Sequence, residues 1–552
     1  MRPTAVDATP PAGAAVEPVR SAAALGRALR TKAAGGIWAL TIAAVVYSQF
    51  NIYGKLSRDS AIYVYGGQRF VHGAPPYVSI MDPKGPLSSI LCGVGVAVAR
   101  LFGRSDLLVI RVEFCALAIL GVLGVYLLVV ELWQSVVGGL VAAAVFVTFS
   151  RFAHQALAGP DGHSPGTVFL IFALWLTARK NWYLGGVAAG LAFVSWQPLF
   201  PYVPISLLCA VAWSPGRRRH AAAWNLAGAA TPVILLMGYY AAEGHLGKLF
   251  EGLFVFPLTG TRRAPLSFGA RLQFMFRNVA GSYGAGAVLL WIGLALVLAA
   301  AVWIVVRSQW RAALLHPLVL LVGLSLVTQL AYMAYDYIGW THAFPVLPYA
   351  AAGFGMAGAK LLHRLSGVRA QQAATAGLLI GVTALVTTCA VLYYQPSDDE
   401  PLRSEQASAC AIAGALVPGT PLWTLGDPVP LVLLHRSNPD NYPYLGSGED
   451  VWKVKHTRGG FDGWTDQIAA SGATVIVMDT WRGPYRGPMH DWLVTHGYQL
   501  GYIGPFRVYV TRAARVQMGV ESIPRARHKE QWPLTTTGGT FRDTGCTHIE
   551  AG

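Results

Sequence analysis

Two carboxylates and an ammonium stand close together in DSAIYVYGGQRFVHGAPPYVSIMDPKGPL, residues 59–87. They are Asp59, Asp82 and Lys84, interleaved with Tyr63, Tyr65 and Tyr77. A carboxylate can accept the proton of a hydroxyl while a new C–O bond forms. A cation set between two prolines, as in Asp82-Pro83-Lys84-Gly85-Pro86, points in a fixed direction. There it can stabilise the charge that grows on a departing phosphate. Arg58 adds a second cation beside Asp59, and Asp82 and Tyr63 are candidate substrate contacts. Plainer roles exist for the same residues. Asp59 suits the N-cap of a helix over 60–71, and Lys84 suits an interfacial side chain paired with Asp82.

Further candidates lie downstream. Asp161 and His163 stand in HQALAGPDGHSPG, whose Gly and Pro residues indicate a non-helical loop at a membrane surface. There Asp161 serves as a second acid, or orients an acceptor or a metal; a single His is more often structural. Asp336 and His342 stand among Tyr335, Tyr337 and Trp340, an aromatic group that reads as an interfacial belt or a sugar-stacking surface. Arg262 and Arg263, with Arg271 and Arg277, put positive charge in segment 244–282. Such a group fits either a phosphate or anionic headgroups. Trp196-Gln197-Pro198 interrupts an apolar segment: one more cavity contact, or a plain turn with an interfacial Trp.

The elements that must position these residues are membrane helices. The 552-residue chain is 54% hydrophobic and 12% charged, against about 25% charged in soluble domains. The net charge of +15 falls largely in short loops between apolar runs, where it acts as a topology signal and argues against nucleic acid as a partner. A membrane helix needs roughly 20 apolar residues. Spans are expected at 36–53, 106–131, 136–153, 166–179, 183–197, 199–213, 222–243, 284–306, 314–333, 342–362 and 372–394. Segment 86–102 is expected to lie flat or re-enter. With 86–102 outside the count, the basic clusters fall on one side and place the N-terminus in the cytoplasm. The result is a mainly α polytopic protein with about eleven spans. Asp59, Lys84, Asp161, Asp336 and everything after residue 395 face outward.

The expected organisation is a disordered N-terminus (1–34), a transmembrane domain (35–394) with outer loops 54–105 and 244–282, a small extracytoplasmic α/β domain (395–513), and a disordered tail (514–552). TPLWTLGDP, ATVIVMDTW and GYIGPFRVYVTR read as strands, VPLVLLH as a strand or a helix, and the segments near Trp464–Ala470 and Met489–His496 as helices. Four of the six cysteines lie in apolar segments; Cys410 and Cys546 lie in the C-terminal region, where they are free to pair. The sequence contains neither GxxxxGK[ST] nor HExxH, which removes that class of ATP-driven pump and the zincins.

These residues resemble the GT-C membrane glycosyltransferases, notably the protein O-mannosyltransferases and the lipid A aminoarabinose transferases. The resemblance rests on Asp59, on Asp82-Pro83-Lys84-Gly85-Pro86 some way after it, on LFGRSDLLVIR, on Asp161 and on THAFPVLPYAAAG (341–353). It runs through 36–394. Ser60 follows Asp59 where many members carry a second acid, and Trp196-Gln197 stands where Lys is common. The resemblance implies inverting transfer of a monosaccharide from a polyprenyl-phosphate carrier, with Asp59 as base and Lys84 on the phosphate. The expected acceptor is a cell-wall glycan, lipid or protein at the outer face of a bacterial plasma membrane, with no required cofactor and a divalent metal as an option. Two alternatives stand beside it: a transporter or flippase of lipid-linked sugars, and a ligase or polymerase using a polyprenyl-pyrophosphate oligosaccharide.

Overall fold

The computed structural model describes residues 22–261, 267–446, 448–479, 481 and 483–525. Among the described residues, five helices are long and apolar enough to cross a membrane: Asp106–Trp133, Arg218–Ala242, Ala285–Arg307, Leu318–Asp336 and Val368–Leu392. A sixth crossing forms if Val136–Val147 and Ser150–Ala158, bent by 63°, count as one span. Other expected spans fall on shorter apolar helices, among them Thr31–Tyr47, His163–Ala178, Trp182–Ser195 and Gln197–Ala212. The break at Trp196-Gln197-Pro198 follows from the proline, which cannot donate to the helical ladder.

Between helices the packing uses small residues. A Cβ on Gly353 would lie 2.2 Å from the Gly293 carbonyl oxygen, so the helices Ala285–Arg307 and Leu347–Arg364 meet backbone to backbone. Close approach of this kind substitutes dispersion contacts for the hydrophobic drive that lipid cannot supply.

The first outer segment is two helices joined by the motif loop: Arg58–Val71, with a largely buried face, and Leu87–Leu101. The chain entering it is pinned. Arg111, 1% exposed, donates to the carbonyls of Ile52 (2.6 Å), Gly54 (2.8 Å) and Lys55 (3.2 Å). Glu405, from the C-terminal part of the chain, accepts from the Leu56 amide at 2.9 Å.

Two expected boundaries shift, and the outer segment 244–282 gains internal structure. Segment 244–282 is mostly helical, with Leu246–Phe250, a π turn at Glu251–Val255, Phe256–Thr259 and Phe268–Tyr283. Helical order begins at Ala22, inside the segment expected to be disordered to residue 34; Lys32 donates to Gln134 at 3.0 Å. At the other end, Arg512–Met518 is a helix and Ile523 is buried, so order runs past 513. Residues 1–21 and 526–552, including Cys546, lie outside the described residues.

The C-terminal region holds a four-stranded mixed sheet: β1 (Leu422–Leu425), β2 (Val475–Met478), β3 (Gln499–Ile503) and β4 (Phe506–Val510), in the order β1-β2-β4-β3. β1 and β2 are parallel; β4 is antiparallel to both β2 and β3. Strands β1 and β2 are buried on both faces, as their largely apolar runs require. VPLVLLH forms the short helix Val429–Leu433, and the two expected helices are Gly460–Ala470 and Arg486–Thr495.

Candidate functional site

Ser57, not Asp59, caps the helix Arg58–Val71: its hydroxyl accepts from the Ser60 amide at 3.1 Å. The cap reading of Asp59 is therefore corrected, and its carboxylate is left for other work. Asp59 lies in the first turn with a side chain 67% exposed, and Arg58 Nε is 3.7 Å from its Oδ1. Tyr63 follows one turn later on the same face and is buried.

Lys84 comes to this face from the motif loop. Its ammonium lies 5.7 Å from the centroid of the Tyr63 ring and 4.0 Å from Asp82 Oδ1. The loop is held from several sides. Tyr77 donates its hydroxyl to the Lys84 carbonyl at 2.6 Å, and Gln197 donates to the Pro83 carbonyl at 3.0 Å. A Cβ on Gly85 would sit 2.0 Å from the Val194 carbonyl oxygen, so the loop rests directly on the end of the helix Trp182–Ser195. Burial pulls the Lys84 ammonium toward neutrality, but Asp82, with Asp59 and Asp161 behind it, outweighs burial and holds it above the ordinary lysine value. Burial pushes the Asp82 carboxyl up, against the opposing pull of Lys84. Lys84 is thus a firmly charged cation with one buried counter-charge.

Asp161 packs beside this loop. Ser88 donates to its carbonyl at 2.8 Å, and its Oδ1 accepts from the Ser164 amide at 2.9 Å, at the start of the helix His163–Ala178. Its Oδ2 lies 3.3 Å from His163 Nδ1. Burial would raise the Asp161 carboxyl, but hydrogen bonds from His163 and Ser164 hold it below its ordinary value. With Nδ1 engaged by the carboxylate, Nε2 is the free face of the imidazole; it is buried and has no hydrogen-bond partner. The His163 ring is 4.5 Å from Trp196 and 5.2 Å from His342, whose Nδ1 is also buried without a partner. The Tyr63 hydroxyl and the Asp82 carboxylate interact with each other beside Lys84. Buried polar atoms are normally satisfied by protein, water or ligand, which leaves the two imidazole nitrogens open to a polar partner.

The structure thus gathers Asp59, Tyr63, Asp82, Lys84, Asp161, His163 and His342. Arg58 stays beside Asp59, with its guanidinium 5.2 Å from the centroid of the Tyr444 ring. Asp336 ends the helix Leu324–Asp336, and its backbone hydrogen-bonds the His342 ring. Arg262 and Arg263 lie outside the described residues. Arg271 stands over the Tyr335 ring at 5.9 Å. Among the described residues, no group of three or more His, Cys, Asp or Glu is arranged to hold a metal ion.

Sequence reasoning missed Ser57, Ser88, Asn441 and Tyr444. Asn441, from the C-terminal domain, donates to the Tyr77 carbonyl at 3.1 Å and accepts from the Met81 amide at 2.8 Å. Tyr444 donates its hydroxyl to Asp59 Oδ1 at 3.2 Å across 385 residues of sequence. Nothing local to either residue signals these contacts.

The fold has counterparts among solved structures. It is similar to crystal structures of ArnT from Cupriavidus metallidurans. Against the apo state the TM-score is 0.55 at 13% identity, covering 89% of this chain and 99% of that one. Against ArnT bound to undecaprenyl phosphate it is 0.55 at 15% identity, covering 86% and 97%. No family model matches the sequence, and no curated protein matches it.

Proposed function

We propose that the protein is an inverting glycosyltransferase that moves a monosaccharide from a polyprenyl-phosphate carrier to a hydroxyl of an extracytoplasmic acceptor. The observation that carries this reading is the meeting of Asp59, Tyr63 and Lys84 on one face, beside the orphaned polar atoms of His163 and His342. The acceptor oxygen attacks the anomeric carbon as the bond from that carbon to the phosphate oxygen breaks. The acceptor proton passes to Asp59, and the polyprenyl phosphate leaves as an anion that Lys84 stabilises. Attack opposite the leaving group inverts the anomeric centre. The imidazoles and Tyr63 hydrogen-bond sugar hydroxyls.

The similarity to an ArnT structure bound to undecaprenyl phosphate supports the carrier class. The acceptor is a cell-wall glycan, a lipid or a protein, and the reaction needs no metal. In this reading the shorter apolar helices complete about eleven crossings of a bacterial plasma membrane, with the N-terminus inside and the site outside. The disulfide at Cys410 supports an oxidising exterior for the C-terminal domain.

Purified protein in lipid is offered radiolabelled polyprenyl-phosphate mannose, arabinose and glucose. Transfer or slow hydrolysis of one donor, lost in Asp59→Asn and in Lys84→Ala, is the expected result. Consumption of no donor, or full activity in Asp59→Asn, overturns the reading.

A further inference from the structure

The carboxylate at the centre of the site is not held by the membrane domain alone. Tyr444, 8% exposed, extends from the C-terminal domain and donates its hydroxyl to Asp59 Oδ1 at 3.2 Å. Its ring lies beneath the Arg58 guanidinium, 5.2 Å from centroid to Cζ. One side chain therefore engages both members of the Arg58-Asp59 pair.

The segment that delivers Tyr444 is itself clamped onto the first outer segment. The Asn438 amide donates to the Tyr65 hydroxyl at 2.9 Å, and Asn441 bonds Tyr77 and Met81 on either side of the turn that leads into Asp82. The domain makes a separate contact elsewhere, where Trp452 Nε1 donates to Glu251 Oε1 at 3.0 Å. Docking of the domain and the contact with Asp59 are thus made by different residues.

We infer that Tyr444 is a positioning residue for the reaction proposed above, so that the C-terminal domain completes the site. The inference rests on that reading. A two-thirds exposed carboxylate on the first turn of a helix rotates freely unless something holds it. A phenol on Oδ1 fixes the carboxylate plane and leaves Oδ2 to receive the acceptor proton. Arg58, over the same ring, stays at 3.7 Å from the same Oδ1. The phenol exchanges no proton; it sets geometry, and catalysis is sensitive to geometry at the scale of an ångström.

The test compares Tyr444→Phe with Trp452→Phe in the full-length protein, using the donor that wild type consumes. Tyr444→Phe keeps the ring under Arg58 and removes only the hydroxyl. The expected result is a fall in kcat on the order of 10–100-fold, typical of losing a partner that orients a reacting group, with the KM for donor and the melting temperature near wild type. Trp452→Phe weakens docking alone and is expected to keep kcat. Wild-type kcat in Tyr444→Phe overturns the inference while the transferase reading stands. Equal falls in both variants also overturn it, because docking and not the hydroxyl would then matter. An inactive wild type removes the transferase reading and this inference with it.

Discussion

The Lys84 ammonium faces the ring of Tyr63, 5.7 Å from its centroid, and Tyr63 lies one helical turn after Asp59. The aromatic ring fixes the spacing between a cation from the motif loop and a carboxylate from the helix. Catalysis that separates a phosphate from a sugar while deprotonating a hydroxyl needs those two charges apart, each next to its own reacting atom. A direct ion pair would cancel both.

Lys84→Ala is expected to reduce donor turnover by about 10²–10³-fold, as for loss of one preorganised group facing a developing anion. Lys84→Arg should recover only part of this, since a planar fork does not reproduce a point charge in a tight loop. Steady-state turnover of the labelled donor checks both.

Asp59→Asn should abolish transfer while leaving stability nearly unchanged, because Ser57 caps the helix. Ser57→Ala should do the reverse, costing about 1 kcal/mol of stability in a protein that keeps the base. Thermal unfolding and turnover measured on both variants separate capping from catalysis.

Asp161→Asn keeps an acceptor for the Ser164 amide but replaces the oxygen that faces His163 Nδ1 with an amide nitrogen. A loss of about 1–3 kcal/mol is expected for the broken buried hydrogen bond. The Asp161 carboxyl is held below its ordinary value. Its contribution is therefore present above about pH 3.9 and lost as pH falls through the lower folded value. Unfolding at pH 7 and pH 3 should show a gap between wild type and variant that narrows in acid.

Asp427 gives the opposite sign. Burial is the main cause that pushes its carboxyl up to about 7, above the ~3.9 of an unfolded carboxyl. Its folded-state stability is fully present below that lower value and is lost as pH rises through about 7. Asp427→Asn keeps an acceptor for the Val429 amide, now bonded at 3.0 Å. It should raise the melting temperature at pH 8, by at most about 4 kcal/mol of stability, and leave it unchanged at pH 3. A variant no more stable at pH 8 would contradict this.

Gly85→Ala drives a Cβ into the Val194 carbonyl. The loop must lift from the helix end, carrying Lys84 with it. Turnover should drop while the C-terminal sheet stays folded, which activity and circular dichroism together report.

The motif loop was legible in the sequence because its chemistry is consecutive: an acid, aromatics, then a cation between prolines. The apolar runs were legible for the same reason, and the chain's fold is similar to that of ArnT. Strands β1 and β2 were visible as short, largely apolar runs ending at polar loops. The helix Phe268–Tyr283 was hidden because Arg271 and Arg277 read as outer-loop charges, although arginine is a good helix former.

What the amino-acid order determined is therefore everything encoded over a few neighbouring residues: membrane character, the Asp82-Pro83-Lys84-Gly85-Pro86 loop and strands β1 and β2. Tertiary structure decided which of these residues meet. Ser57 took the cap from Asp59, Asp161 turned to His163, and Tyr444 reached Asp59 across 385 residues. Hydropathy and turn chemistry act locally. A hydrogen bond between distant residues forms only where packing of the intervening helices and sheet brings donor and acceptor within about 3 Å.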